Sequence, residues 1–210
     1  MSFNFTQAEF DIWAPTYDED AEGRTGWSAH LQVAETVAKY APASPGHVID
    51  LGTGTGLLLP HLKSQFQSAA LTGIDLSENM LEQCRAKNLA DTLVQYDLSK
   101  QQWPFPENSA QVVTSSGVLE FIRHEQPFVK NACALLQEGG IAVVTYQPPS
   151  PGKKGPIGAS PSFSKPHYAM KDAFQACGME VLEQSEFNAY RNYGVPVMYG
   201  LIAARKPGCV

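Results

Sequence analysis

Short apolar runs alternate with stretches of helical periodicity along most of the chain. The first run, His47 to Leu51, is β-branched and apolar, as expected of a strand buried on both faces of a parallel sheet. Three glycines follow it at alternating positions and allow the backbone to turn sharply: Gly52, Gly54 and Gly56. Apolar residues then resume at helical spacing, at Leu59, Leu62 and Phe66. This stretch is predicted to form a strand, a glycine turn and a helix.

The same alternation predicts four more strands in the central part of the chain. They are Ala70 to Leu76, Thr92 to Leu98, Ala110 to Ser116 and Ile141 to Tyr146. Ser28 and Ser77 are predicted to cap helices with their side chains. Two further helices are predicted from Pro127, with Gly139-Gly140 as its stop, and from His167. Helices between successive strands indicate parallel pairing.

The last two apolar runs, Met179 to Tyr190 and Val195 to Arg205, are joined by a short connection. Because there is no room for a helix between them, they must pair antiparallel. A two-halved dinucleotide fold would instead continue with parallel β-α-β units. The chain is therefore predicted to be an α/β protein whose sheet ends in an antiparallel pair of strands, unlike the sheet of a dinucleotide fold.

An acidic residue marks the ends of two predicted strands after the glycine turn. Asp75 comes 23 residues after Gly52, roughly where a doubly wound nucleotide site places the acid that binds ribose hydroxyls. Asp97 repeats this arrangement at the end of the next strand, although such an Asp also commonly forms a turn. Leu57 follows the pattern G-x-G-x-G, so the third glycine of the dinucleotide fingerprint is missing. An adenosine derivative is predicted as the ligand, and an NAD(P)-dependent oxidoreductase stays an alternative.

The segment Asp50 to Gly56, D-L-G-T-G-T-G, followed by Asp75 and Asp97, resembles the class I methyltransferases that use S-adenosylmethionine. The resemblance covers nearly the whole chain. It implies a doubly wound, seven-stranded, mostly parallel sheet with an antiparallel last strand, and a product, S-adenosylhomocysteine. The cofactor residues that it implies are Tyr17, Arg24, Asp50, Gly52, Thr53, Gly54, Asp75, Leu76, Met80, Asp97, Leu98 and Ser115.

Residues 1–27 are rich in aromatic residues separated by acidic ones. Phe10 to Asp18, FDIWAPTYD, is similar to the F-D-x-x-A-x-x-Y-D segment of many small-molecule methyltransferases, most of all the group named after Williams-Beuren syndrome. That resemblance implies a lid over the methionyl end of the cofactor, with Tyr17 near the sulfonium and Arg24 at the methionyl carboxylate. The alternative is a segment that only packs its aromatic rings on the main domain, residues 28–210.

The loop after the fourth predicted strand faces the reacting end of the cofactor if the fold is doubly wound. It resembles the family's S-x-x-x-L-x-H segment, but Phe121 stands where many relatives carry histidine. A general base is optional in methyl transfer, and the candidates are Glu120, His124, Tyr17 and His167. Because no base stands out, a non-catalytic S-adenosylmethionine-binding partner or regulatory protein is a second alternative.

Pro148 to Pro166 is rich in proline and glycine and has no apolar periodicity, so it is predicted to be a long loop at the ligand-binding edge. Its three lysines are Lys153, Lys154 and Lys165. They predict attraction of an anionic substrate, and a solvated flap is the alternative.

Composition sets limits on the class of protein. The chain has 210 residues, 43% of them hydrophobic and 17% charged, which is typical of a globular protein of one domain. The net charge of −6 opposes broad contact with nucleic acid or an anionic membrane, so a small-molecule methyl acceptor is expected. Four cysteines without a C-x-x-C pair or a histidine cluster predict reduced thiols and no metal site. Without a signal sequence or a membrane span, a cytoplasmic monomer or homodimer is expected.

Overall fold

The computed structural model describes residues 7–149 and 163–208, and in these ranges seven strands form a single sheet. The strands are β1 His47–Leu51, β2 Ala70–Asp75, β3 Thr92–Gln95, β4 Ala110–Ser115, β5 Leu136–Tyr146, β6 Glu180–Asn192 and β7 Val195–Arg205. Their order in the sheet is β3-β2-β1-β4-β5-β7-β6. The first five strands run parallel, and β7 is antiparallel to both β5 and β6. The predicted doubly wound sheet with an antiparallel last strand is confirmed.

Six α-helices occur within the described ranges: α1 Gln7–Trp13, α2 Ala29–Tyr40, α3 Leu59–Gln65, α4 Glu78–Ala86, α5 Glu125–Leu135 and α6 His167–Ala176. The side chain of Ser77 caps α4 as predicted, since its Oγ accepts a hydrogen bond from the Met80 amide at 3.1 Å. Ser28 stands at the start of α2 but does not cap it. Its Oγ donates instead to the carbonyls of Asn188 and Ala189.

The prediction that Gly139-Gly140 ends the fifth helix is wrong. Helix α5 ends at Leu135, and β5 begins at the next residue. The glycines belong to this strand because their backbone pairs across the sheet with Lys206: the Gly139 amide donates to the Lys206 carbonyl at 2.8 Å, and the Lys206 amide donates to the Gly140 carbonyl at 2.9 Å. A partner at the far end of the chain thus decides where the helix stops.

Two apolar layers cover the two faces of the sheet. Ile49 and Val113 pack with α5 and α6 on one face, whereas Val48 and Val112 pack with α2 and α3 on the other. Because both faces are covered, the strands are continuously apolar. Cys84, Cys133 and Cys177 are free thiols, as predicted, and Cys209 lies outside the described residues. In the described part of the chain, no helix combines the length and the apolarity needed to cross a bilayer.

Candidate functional site

A cavity of about 580 Å³ opens at the carboxyl ends of β1, β2 and β4. This is the edge where the order of the strands reverses and where ligands bind in doubly wound sheets. Eight of the twelve predicted cofactor residues line it: Tyr17, Gly52, Gly54, Asp75, Leu76, Met80, Asp97 and Leu98. The structure therefore places most of the predicted site in one cavity.

The glycine turn after β1 is held in an unusual backbone conformation. Gly52 and Gly54 have φ values of 74° and 55°, which residues with a Cβ rarely adopt. The turn is fixed by Asp75, whose Oδ2 accepts a hydrogen bond from the Gly54 amide at 2.8 Å and whose Oδ1 accepts one from the Ser77 amide at 2.9 Å. Burial raises the pKa of this carboxyl, while these amide bonds lower it. Asp75 therefore both shapes the turn and faces the cavity.

Asp97 lies at the cavity and also forms a turn. It lines the cavity, and its Oδ1 accepts hydrogen bonds from the amide and the hydroxyl of Ser99 at 2.9 and 2.6 Å. The strand before it is shorter than predicted, because β3 ends at Gln95. Asp97 is therefore presented from a turn beyond the sheet.

Three predicted cofactor residues support the turn from behind and do not line the cavity. Asp50 is buried and accepts a hydrogen bond from the Thr114 hydroxyl at 2.8 Å, and burial raises its pKa to about 6. The hydroxyl of Ser115 donates to the Leu51 carbonyl at 3.0 Å. Thr53 is buried as well. The contacts of Asp50 and Ser115 connect β1 to β4.

The N-terminal segment lies over the glycine turn. Within residues 7–27, it contains α1, a 3-10 turn at Ala14–Thr16 and a π-helical stretch at Glu19–Thr25. Phe10 and Tyr17 line the cavity, and the ring of Phe10 meets the edge of Phe121 at a centroid distance of 5.3 Å. The segment thus forms one wall of the cavity, an arrangement that a lid requires.

Two aspartates attach this segment to the main domain. Asp11 accepts a hydrogen bond from the Ser77 hydroxyl, and Asp18 accepts one from the Thr55 hydroxyl. Asp18 also pairs with Lys87, with 2.6 Å between its Oδ2 and the lysine Nζ. The contacts therefore connect the two ends of the FDIWAPTYD motif to the glycine turn and to the flank of α4.

Replacing Asp18 by alanine is expected to raise the rate of proteolytic cleavage within residues 7–27 about 5- to 30-fold. Losing both contacts removes about 1–2 kcal/mol from the docking of the segment, and cleavage follows the population of the open form. Limited proteolysis with mass spectrometry measures the rate. Glu19→Ala is the matched control, since Glu19 is 75% exposed and only approaches Arg24 at 4.0 Å. Equal cleavage of the two variants would show that Asp18 does not hold the segment.

Arg24 does not reach the cavity. Its guanidinium pairs with Asp20, with 2.7 Å between Nη1 and Oδ1, and its side chain is 67% exposed. The two residues are four positions apart on one helical turn, which is the usual spacing of such pairs. The described structure gives no support to a role for Arg24 at the methionyl carboxylate.

The predicted base candidates lie in three different surroundings. Tyr17 and His124 line the cavity. Glu120 lies in the cavity wall behind Gly117 and accepts a hydrogen bond from the Tyr199 hydroxyl at 2.6 Å. His167 does not line the cavity, because it pairs with Glu186 and with the Tyr146 hydroxyl, the latter at 2.6 Å. The geometry therefore separates His167 from the other three.

The side chain of Lys165 is buried and does not face the cavity as a free cation, so it does not contribute the predicted attraction of an anionic substrate. It is 2% exposed, and its Nζ donates to the carbonyls of Ile122 and Arg123 at 2.7 and 3.0 Å. Burial lowers its pKa, and the nearby Glu125 raises it. Lys165 instead holds the loop that carries the cavity residues after β4. Lys153 and Lys154 lie outside the described residues.

Twelve cavity residues were not assigned individual roles from sequence, although the loop after β4 was predicted to face the reacting end of the cofactor. They are Phe10, Tyr96, Ser99, Gln101, Ser116, Gly117, Val118, Phe121, Ile122, Arg123, Pro127 and Phe163. Those that follow β3 and β4 directly carry a sequence signal, namely their place after the carboxyl end of a parallel strand. Phe163 has no such signal, because its amide is brought to the site by a 2.7 Å bond to the Glu120 carbonyl.

Comparison with known proteins gives a consistent result. Residues 48–140 match a family model described as a methyltransferase domain. The chain is 28% identical over 133 residues to trans-aconitate 2-methyltransferase of Paracidovorax citrulli, covering 63% of this chain and 49% of that protein. It is 32% identical over 111 residues to human methyltransferase-like protein 27, covering 52% and 45%. The chain thus spans about half the length of these relatives.

The fold has close counterparts among solved structures. A chain of the Haloferax volcanii complex that contains the Trm112 methyltransferase activator superposes with a TM-score of 0.75 at 21% identity, covering 95% of this chain and 98% of that one. An S-adenosylmethionine-dependent methyltransferase from Mesorhizobium loti gives a TM-score of 0.66 at 19% identity, covering 85% and 98%. At these identities the likeness concerns the fold alone.

Proposed function

We propose that the chain, whose residues 48–140 match a methyltransferase domain, is a class I S-adenosylmethionine-dependent methyltransferase that binds this cofactor in the cavity and transfers its methyl group to a small-molecule acceptor. The observation that carries the proposal is the glycine turn with Asp75 at its side. Two glycines with positive φ line the cavity, and the half-buried carboxylate of Asp75 stands beside them. These residues fit an adenosyl cofactor, since the backbone can approach it closely and the acid can bind ribose hydroxyls.

In this proposal each part of the cofactor is bound by particular residues that line the cavity. Asp75 binds the ribose hydroxyls, Asp97 and the backbone of Leu98 bind the adenine, and Met80 contacts the adenine face. Tyr17 lies at the methionyl end, where its aromatic ring accommodates the sulfonium. All five residues line the same cavity, which supports this arrangement.

When bound, the cofactor supplies a methyl group activated by its sulfonium, which is a good leaving group. The residues of the chain then have to align the acceptor and exclude water. The N-terminal segment closes one side through Phe10 and Tyr17, and Phe163 also lines the cavity, whereas most of the predicted loop Pro148 to Pro166 lies outside the described residues. The names of two relatives, trans-aconitate 2-methyltransferase and malonyl-[acyl-carrier protein] O-methyltransferase, support a small or carrier-bound acceptor. A cytoplasmic location, a monomeric or homodimeric state and the Williams-Beuren subgroup stay predictions.

S-adenosylhomocysteine is expected to stabilise the protein in a thermal-shift assay, whereas NADH is not. A ligand present at 100 times its dissociation constant adds about 2.7 kcal/mol to the free energy of unfolding. Stabilisation by NADH alone would overturn the proposal in favour of an oxidoreductase, which the antiparallel β7 already disfavours.

Transfer of a labelled methyl group from S-adenosylmethionine to a metabolite extract tests the second half of the proposal. A labelled small molecule is the expected product. Tight cofactor binding without any turnover would support a non-catalytic binding protein, an alternative that Phe121 favours because it replaces a histidine found in many relatives.

A further inference from the structure

The carboxyl group of Glu120 is buried and only half satisfied. The residue is 5% exposed, and its Oε1 accepts the hydrogen bond from the Tyr199 hydroxyl at 2.6 Å. Its Oε2 is buried and has no hydrogen-bond partner within residues 7–149 and 163–208. Buried carboxylate oxygens are normally paired, so an unpaired one calls for a physical explanation. The packing of the described residues does not supply it.

This carboxyl lies directly behind the wall of the cavity. Gly117 lines the cavity, and a Cβ built on it would lie 3.7 Å from Oε1 of Glu120. Tyr17, on the opposite segment, also lines the cavity and lies within electrostatic range of Glu120 and of Asp75, both of which help to raise the pKa of its phenol. The charge of Glu120 therefore acts on the end of the cavity that Tyr17 occupies.

The groups that face Glu120 come from four parts of the chain. They are Tyr17 on the N-terminal segment, Tyr190 on β6, Tyr199 on β7 and Lys165 just before α6. Burial raises the pKa of Glu120 to about 6, while the bond from Tyr199, its own backbone amide and the charge of Lys165 lower it. Glu120 is consequently negative above about pH 6 and neutral below it.

We infer that Glu120 is a specificity-determining residue, a buried anion that makes the site bind the cationic S-adenosylmethionine in preference to the neutral product S-adenosylhomocysteine. The inference rests on the proposed function, because it needs the cofactor in the cavity with its sulfur end beside Tyr17. The two ligands differ in the methyl group and in one positive charge at sulfur. An anion in a low-dielectric wall interacts with that charge more strongly than it would in water. Such a site releases its product more readily than its cofactor.

The test is the ratio of the two dissociation constants, Kd of S-adenosylhomocysteine over Kd of S-adenosylmethionine, measured by isothermal titration calorimetry from pH 5 to pH 7.5. In the native protein the ratio is expected to rise about tenfold or more as pH increases through about 6, because Glu120 gains its charge there. In Glu120→Gln the ratio is expected to be low and constant. A constant ratio in the native protein overturns the inference.

Matched variants test whether either of two other titratable groups, rather than Glu120, causes the rise in the ratio. His124 lines the cavity, and Asp50 lies behind the glycine turn with a pKa raised to about 6. His124→Gln and Asp50→Asn are each expected to keep the pH-dependent rise. If either variant abolishes it while Glu120→Gln retains it, the inference is wrong.

The variant Tyr199→Phe keeps the carboxyl of Glu120 and tests the inference even if Glu120→Gln does not fold. Removing the hydroxyl that stabilises the charged carboxylate raises the pKa of Glu120, so the midpoint of the rise is expected to move to higher pH. A midpoint that stays in place overturns the inference. Failure of both ligands to bind the native protein would instead refute the proposed function, so the two failures are distinguishable.

Discussion

Replacing Gly52 by alanine is expected to destabilise the protein by about 2–4 kcal/mol, whereas the same change at Gly54 is expected to cost only about 1 kcal/mol of stability and to weaken cofactor binding. Both glycines have positive φ, which adds about 1 kcal/mol to the penalty of either alanine. They differ in the space available. A Cβ on Gly52 would lie 2.1 Å from Cγ2 of Val118, but a Cβ on Gly54 would meet no atom within 4 Å. Overpacking of this kind typically destabilises by about 1–3 kcal/mol.

Urea unfolding, monitored by circular dichroism, measures the free energy of unfolding of each variant. Titration with S-adenosylhomocysteine measures its affinity for the cofactor product. The double variant Gly52→Ala with Val118→Ala is the control for the clash, since it removes the methyl groups that the new Cβ would meet. It is expected to recover stability relative to Gly52→Ala alone. Equal stability of the two single variants would show that contact with Val118 does not restrict the turn.

The central part of the site is predictable from sequence because its chemistry is local. A buried strand, three glycines and an acid at the end of the next strand follow from residues adjacent in the chain, and parallel pairing of β1 with β2 brings them together. The pair of Arg24 with Asp20 is also local, four residues apart, and this spacing was a signal against a ligand role for Arg24.

Other features depend on partners that no local pattern reveals. Lys165 is buried because carbonyls more than 40 residues away accept its hydrogen bonds. Helix α5 ends early because Gly139 and Gly140 pair with Lys206 near the C-terminus. Glu120 owes its raised pKa to burial against residues of β6 and β7. In each case a tertiary contact overrides the tendency of the local sequence.

Asp75→Ala is expected to weaken binding of S-adenosylhomocysteine by about 1–3 kcal/mol, or roughly 5- to 150-fold, because ribose hydroxyls lose their charged acceptor. The same carboxylate also accepts hydrogen bonds from the Gly54 and Ser77 amides. The variant therefore loosens the glycine turn as well. Asp91→Ala is the matched control. Its Oδ2 accepts the Leu71 amide at 2.8 Å near the opposite end of β2, away from the cavity lining. The control should lose stability without losing affinity.

A ligand without the ribose 2′-hydroxyl separates direct binding from loosening of the turn. If Asp75 binds the ribose, removing that hydroxyl should reduce the affinity of the native protein and change that of Asp75→Ala much less, giving a coupling energy in a double-mutant cycle. If Asp75 acts only through the turn, the two losses will add. Additive losses would remove the ribose assignment and leave Asp75 as the residue that sets the conformation of Gly54.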